Sequence, residues 1–104
     1  MKYYHVTQSW DGGDLESLYN REGDDAYEIF AKRWPESGGM AYNHINLIHL
    51  HDNISDAERF VRDFGGEILE IELEEDDVEI DDLEYPHPVS RYPIDSYNIR
   101  RLYR

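Results

Sequence analysis

The sequence predicts an α+β fold, with a small mixed, mainly antiparallel sheet and two to three helices. Its length of 104 residues is the usual size of one domain, so we expect residues 1–104 to form a single domain. Segments with strand-like and helical spacing alternate along the chain. Two Trp, three Phe and nine Tyr supply large apolar surfaces for a core, although only 39% of the residues are hydrophobic.

The first part of the chain predicts one strand and two helices. Lys2 to Thr7 is rich in β-favouring residues and precedes a Trp-Asp-Gly-Gly turn, which is typical of a strand. We expect Asp14 to cap a short helix that extends through Tyr19. A second helix is expected from Asp25 to Pro35. Its buried face is predicted to contain Ile29, Phe30 and Trp34.

The middle of the chain predicts a strand followed by the clearest helix. The apolar run from His44 to His51 favours a central strand covered on both faces. Ser55 and Glu58 have the spacing of a capping box, and Gly65 is placed to end the helix in a left-handed conformation. Apolar residues recur at helical spacing between them, at Ala57, Phe60, Val61 and Phe64.

The last third predicts short strands. Alternation from Glu67 to Leu73 places Leu69 and Ile71 inward and the glutamates outward. A short edge strand or ordered loop follows and is expected to end at the Tyr-Pro-His-Pro sequence, because proline lacks a backbone donor. Residues 99–103 predict a last strand.

Negative charge is concentrated in one segment of this chain, whose net charge is −14. Eleven of the 24 acids, and no Lys or Arg, lie between Glu67 and Glu84. We expect this segment to present an anionic face to a basic surface on a protein partner. The predicted partner-binding residues are Glu70, Glu72, Glu74, Glu75, Asp76, Asp77, Glu79, Asp81 and Asp82. Direct binding of nucleic acid is disfavoured, because phosphate contacts need cationic side chains.

Several roles remain open for the acidic segment. It could be a solvated edge that prevents aggregation between sheets, or a polyanion mimic that inhibits a nucleic-acid enzyme, as some phage and mobile-element proteins do. An immunity-type protein that neutralises a basic toxin would need the same surface. A calcium loop is disfavoured because the glycine of an EF-hand is missing. The C-terminal arginines, Arg91, Arg100, Arg101 and Arg104, are predicted to pair with these acids.

The order of the elements, together with Tyr4-His5-Val6-Thr7 on the first strand, resembles the small ADP-ribosyltransferase fold. The resemblance covers most of the chain and implies that NAD is a candidate cofactor, bound by Tyr4, His5 and Thr7. At the position of the tyrosine that stacks on nicotinamide in that superfamily, this sequence has Ile48 or His49. The catalytic candidates implied are His5 and His49, with Glu70 or Glu72 as the acid. No motif identifies the catalytic glutamate, so we expect a protein that is not an enzyme, with an NAD-dependent transferase as the alternative.

The histidines, the absence of cysteine and the lack of long apolar stretches indicate whether a metal site is expected and in which cellular compartment the protein is expected. His44, His49 and His51, beside Asp52, include a His-x-His pair, but their spacing matches no standard zinc pattern, so no metal site is predicted. The absence of cysteine favours a reducing, cytoplasmic environment. The first residues lack the apolar stretch of a secretion signal, and no stretch is long enough for a membrane span, so no role at a membrane is expected.

Overall fold

Six short strands and three α-helices form the part of the chain that the computed structural model describes, residues 1–33, 45–81 and 86–102. In chain order they are β1 (Lys2–Thr7), α1 (Leu18–Glu22), α2 (Asp25–Arg33), β2 (Ile48–His49), α3 (Ile54–Phe64), β3 (Glu67–Glu72), β4 (Glu79–Asp81), β5 (His87–Ser90) and β6 (Ile99–Arg101). Single 3-10 turns at Glu75–Asp77 and Ser96–Asn98 precede β4 and β6. The predicted α+β class is confirmed.

β3 is the central strand of the first sheet, with β1 and β6 antiparallel on either side. Leu69 and Ile71 have no exposed surface and Glu72 is exposed, as predicted, but the Glu70 side chain is only 16% exposed and Ile68 is buried, so the predicted alternation is confirmed in part. The predicted last strand is confirmed over Ile99–Arg101, and Tyr103 lies outside the described residues.

β5 is the central strand of a second sheet, with β2 and β4 antiparallel on either side. The described residues therefore form two antiparallel sheets, where the sequence predicted one mixed sheet. β4 is the short edge strand that was one of two alternatives predicted before the Tyr-Pro-His-Pro sequence. The prediction that this sequence forms a loop is wrong, because His87 and Pro88 lie in β5. The Pro88 carbonyl accepts a hydrogen bond of 2.9 Å from the N–H of Leu50. Proline has no N–H to return that bond, so the ladder between β2 and β5 ends at His49.

The chain passes from the second sheet to the first between Leu50 and His51. His51 exchanges two backbone hydrogen bonds with Tyr4 of β1, of 2.7 and 2.9 Å. This crossing replaces most of the strand predicted from His44 to His51, of which only β2 is observed. Residues 45–47 form a turn, consistent with the turn preference of Asn46, and His44 lies outside the described residues.

Apolar residues from both sheets and two loops form the main core. Its buried members are Tyr3, Leu15, Ile48, Leu50, Leu69, Ile71, Ile94 and Ile99. Burying one such leucine or isoleucine contributes roughly 1.5–3 kcal/mol. Leu15 and Ile94 also exchange backbone hydrogen bonds, which fix the loop after β1 against the loop before β6. A smaller core contains Ala26 and Ile45.

Two of the helices, α1 and α3, begin at different caps from those the sequence predicts. Ser17 caps α1 by accepting a hydrogen bond from Asn20, and Asp14 instead accepts one from the N–H of Ser96. Asn53, rather than Ser55, caps α3 by accepting the N–H of Asp56 at 2.9 Å. Both observed caps are residue types that favour this position. Several such residues lie close together in the sequence, so the residue type was predicted correctly but the position was not.

The buried faces of α2 and α3 only partly follow the prediction. Ala26 and Ala57 are fully buried. Ile29 and Phe64 are substantially exposed, at 39% and 52%, so the predicted apolar stripes are wider than the surfaces they cover. Trp34 and Pro35 lie outside the described residues. Gly65 ends α3 with a positive φ of 79°, and its N–H bonds the Val61 carbonyl, so the predicted glycine cap is confirmed.

Gly66→Ala tests the close approach of the turn after α3 to β1. A Cβ at Gly66, whose φ is +106°, would lie 2.6 Å from the Thr7 carbonyl oxygen. Gly65 is the matched control, because its φ is also positive but its Cβ position is open. We expect Gly66→Ala to lower the free energy of unfolding by roughly 1–3 kcal/mol more than Gly65→Ala, through the added clash. Urea denaturation measures both values, and equal losses would contradict this packing.

Candidate functional site

Three side chains from the three strands of the second sheet meet at one point. They are His49 of β2, Asp81 of β4 and His87 of β5, and one ligand atom from each lies within 4.8 Å of the others. Nδ1 of His49 is 2.8 Å from Nε2 of His87, and the two rings stack with centroids 5.1 Å apart. We call this group the histidine cluster.

Strand register explains why the histidine cluster forms. Asp81 and His87 are direct partners across the β4–β5 ladder, so their side chains leave the sheet on the same face. β2 adds His49 from the other edge of β5. His87 is buried, and so is the Oδ2 atom of Asp81. A buried carboxylate oxygen favours a hydrogen-bond donor or a cation beside it.

His5 supports the cluster through the backbone of β2. Its Nδ1 lies 2.7 Å from the His49 carbonyl oxygen. A carbonyl only accepts hydrogen bonds, so Nδ1 of His5 carries the proton. Burial lowers the pKa of His5, and the bond to the His49 carbonyl opposes that shift.

His51 lies on the other side of the chain crossing, with its ring 5.8 Å from that of Phe60. Burial lowers the pKa of His51, while the negative charge of Asp56 opposes the shift. His49 therefore meets His87 rather than its His-x-His neighbour His51, which the sequence had offered as the partner. The sequence analysis did not predict that Asp81 and His87 lie beside His49. It assigned the Tyr-Pro-His-Pro sequence to a loop, whereas pairing of β4 with β5 aligns Asp81 and His87.

The residues implied by the transferase resemblance do not come together as one site. His5 and His49 are adjacent, but through the carbonyl of His49. His5 opposes Leu69 in the β1–β3 register, whereas Glu70 opposes Tyr4 and is therefore on the other face of the sheet.

The other residues implied by the resemblance make contacts outside any shared site. Glu72 opposes Lys2 and shares the face of Glu70. Ile48 belongs to the buried core. The Thr7 hydroxyl donates to the Ser9 carbonyl at 3.4 Å.

Three of the acids predicted to bind a partner are paired within the chain, and so is Glu67 at the start of the same segment. The pairs are Glu67 with Arg101, Glu70 with Lys2 and Arg100, Glu72 with the N-terminal amino group, and Glu79 with Arg91. The predicted pairing of the C-terminal arginines is thus confirmed for three of them, and Arg104 lies outside the described residues. The hydrogen bond and the charge of Glu79 raise the pKa of Arg91. These four glutamates cannot present an unneutralised face.

Four consecutive carboxylates remain exposed, at Glu74, Glu75, Asp76 and Asp77, and we call them the acidic turn. Among the described residues, none of the four forms an ion pair. Asp81 faces the histidine cluster, and Asp82 and Glu84 lie outside the described residues. The predicted anionic face is therefore reduced to the four residues of the acidic turn.

A shallow surface depression adjoins the acidic turn. It is lined by Asp76, Asp77, Glu79, Arg91 and Tyr92. Tyr92 is 73% exposed, so an aromatic ring stands beside the carboxylates. This combination of charge and one aromatic side chain suits contact with a cationic surface.

Comparison with known protein families, with curated proteins and with solved structures found no match. Across the described ranges, no helix has both the length and the apolar character that crossing a bilayer requires.

Arg101→Ala tests whether pairing of the acids contributes to the fold. Arg101 bonds both Glu67 and the Trp10 carbonyl, and its guanidinium lies 5.2 Å from the Trp10 ring centroid. We expect a loss of roughly 1–3 kcal/mol in the free energy of unfolding. Arg100→Ala removes the same charge from a side chain that is 70% exposed, so it should cost less than about 1 kcal/mol. Chemical denaturation compares the two, and a larger loss for Arg100→Ala would overturn this assignment.

Proposed function

We propose that this chain is a small acidic binding protein that engages a basic surface of a protein partner through the acidic turn. The observation that carries the proposal is the run of four exposed carboxylates, unpaired with any base among the described residues, in a protein whose other acids of this region are largely paired. A partner that offers Lys and Arg supplies the missing counter-charge.

The local electrostatics support this site over the rest of the segment. Glu70 and Glu79 already face arginines, so a partner would have to displace those bonds before using them. Among the residues that the structure describes, no base forms an ion pair with the acidic turn that a partner would have to displace. Exposed pairs contribute only about 0–1 kcal/mol each, so we expect the charges to govern the association rate and its salt dependence, with Tyr92 adding apolar contact.

The geometry favours binding over NAD-dependent transfer. The transferase alternative needs a carboxylate near His5, and both of its candidates, Glu70 and Glu72, lie on the opposite sheet face. Between the binding roles, polyanion mimicry and neutralisation of a basic toxin share the same surface. They differ in whether nucleic acid competes with this chain for the partner.

Neutralising the acidic turn tests the proposal. The variant Glu74→Gln, Glu75→Gln, Asp76→Asn and Asp77→Asn removes four charges without altering backbone hydrogen bonds. The control neutralises Glu16, Glu22, Asp24 and Asp63, exposed acids outside the acidic segment, to the same extent. In a quantitative capture from cytosolic extract, we expect the first variant to lose basic proteins at least about tenfold and the control to retain them, since only the acidic turn makes direct charge contacts. Equal capture by both variants contradicts the proposal.

Competition with duplex DNA separates the two binding roles. If the chain mimics a polyanion, added duplex should displace it from the captured partner, because both occupy the same Lys and Arg groove. If it neutralises a basic protein that does not bind nucleic acid, the complex should persist in duplex and dissociate only as the salt concentration rises.

A further inference from the structure

We propose that His49, Asp81 and His87 form a binding site for a divalent first-row transition metal ion, with Zn²⁺ as the best fit. Two imidazole nitrogens and one carboxylate oxygen are a donor set that zinc and ferrous iron take in proteins, with the remaining position left to water or substrate. This inference is independent of the proposed function, because no residue of the acidic turn takes part.

The backbone holds the three donors in a fixed frame. Each comes from a different strand, and β5 in the centre is hydrogen-bonded to both neighbours. Asp81 and His87 are cross-strand partners, so their side chains start from the same face. His5 fixes the carbonyl of His49 from the first sheet, which limits movement of the third donor. A preorganised set of donors loses little freedom when an ion binds.

The distances need only small adjustments. Two donors at about 2.1 Å from a tetrahedral zinc ion are about 3.4 Å apart. The ring nitrogens of His49 and His87, at 2.8 Å, must separate by about 0.6 Å, and Asp81 must approach from within the 4.8 Å limit.

Without a metal ion, His49 and His87 share a proton between their ring nitrogens, and this proton must move when an ion binds. Ring nitrogens at 2.8 Å share one hydrogen bond, so one of them carries a proton. A metal ion needs the lone pairs of both nitrogens. The shared proton therefore moves to the other nitrogen of its own ring, or leaves to solvent if that ring was cationic.

Charge also favours a cation at this position. The Oδ2 atom of Asp81 is buried, and a dication beside it compensates for the loss of hydration. Hard cations are a poor match, because Mg²⁺ and Ca²⁺ prefer oxygen donors. The acidic turn is a candidate for weak, nonspecific cation binding, so the test must separate the two.

Metal titration of the full chain, freed of metal with a chelator, tests the site. Co²⁺ and Zn²⁺ are titrated in excess Mg²⁺, which saturates exposed carboxylates. We expect one equivalent to bind, with visible Co²⁺ bands that Zn²⁺ abolishes. Strong bands indicate a four-coordinate, zinc-like site, and weak bands a six-coordinate, iron-like site. The absence of binding by either ion would overturn the proposal.

Three variants locate the ion. Asp81→Asn and His49→Gln should each weaken Zn²⁺ binding by at least about tenfold, because each removes a donor or its charge. His51→Gln is the matched control, since His51 is a neighbouring histidine outside the cluster, and it should bind as the natural chain does. Unchanged binding by both cluster variants would also overturn the site. Histidine-ring NMR of the natural chain gives a second readout that needs no variant: Zn²⁺ should shift the His49 and His87 rings, and shifts confined to other histidines would contradict the assignment.

Discussion

The crossing of the chain between Leu50 and His51 is the constraint on which the rest of the structure depends. Leu50 bonds β5 of the second sheet, and His51 bonds Tyr4 of the first sheet. The crossing coincides with Pro88, which accepts a hydrogen bond from Leu50 but has no N–H with which to continue the ladder. Ile48 and Leu50 are thereby buried between the sheets, while His49 is placed beside β5. The core and the histidine cluster thus follow from one break in one ladder.

The same arrangement sorts the acids by their surroundings. Register across β3 and β6 places Glu70 directly opposite Arg100, and the β4–β5 hairpin turns Asp81 toward His87. Within this segment, only the acidic turn, between β3 and β4, has exposed carboxylates that form no ion pair among the described residues. A run of acids that is uniform in sequence therefore has three distinct roles in the fold: paired, inward and exposed. We attribute partner binding to the exposed group and metal binding to the inward one.

Local sequence patterns were sufficient to predict many of the helices and strands. The histidine cluster depends instead on pairing between strands that are distant in sequence. Alternation was sufficient to bury Leu69 and Ile71, and Gly65 ended its helix as expected, because both depend on neighbours in sequence. The meeting of His49 with His87 depends on the register of strands 38 residues apart, which periodicity does not encode. Because proline lacks a backbone N–H, the sequence around Pro88 was predicted to be a loop, and β5 was therefore absent from the predicted sheet. The Pro88 carbonyl, however, still bonds β2.

Hydrogen exchange at the crossing tests the account most directly. Slow exchange of a backbone amide reports a stable hydrogen bond, and the amides of Tyr4, Leu50 and His51 report the bonds that join the sheets. The account predicts that all three amides exchange slowly, at rates close to those of amides in β3. Rapid exchange at Tyr4 and His51, with Leu50 still protected, would show that the two sheets are not joined there and would contradict the crossing on which the account depends.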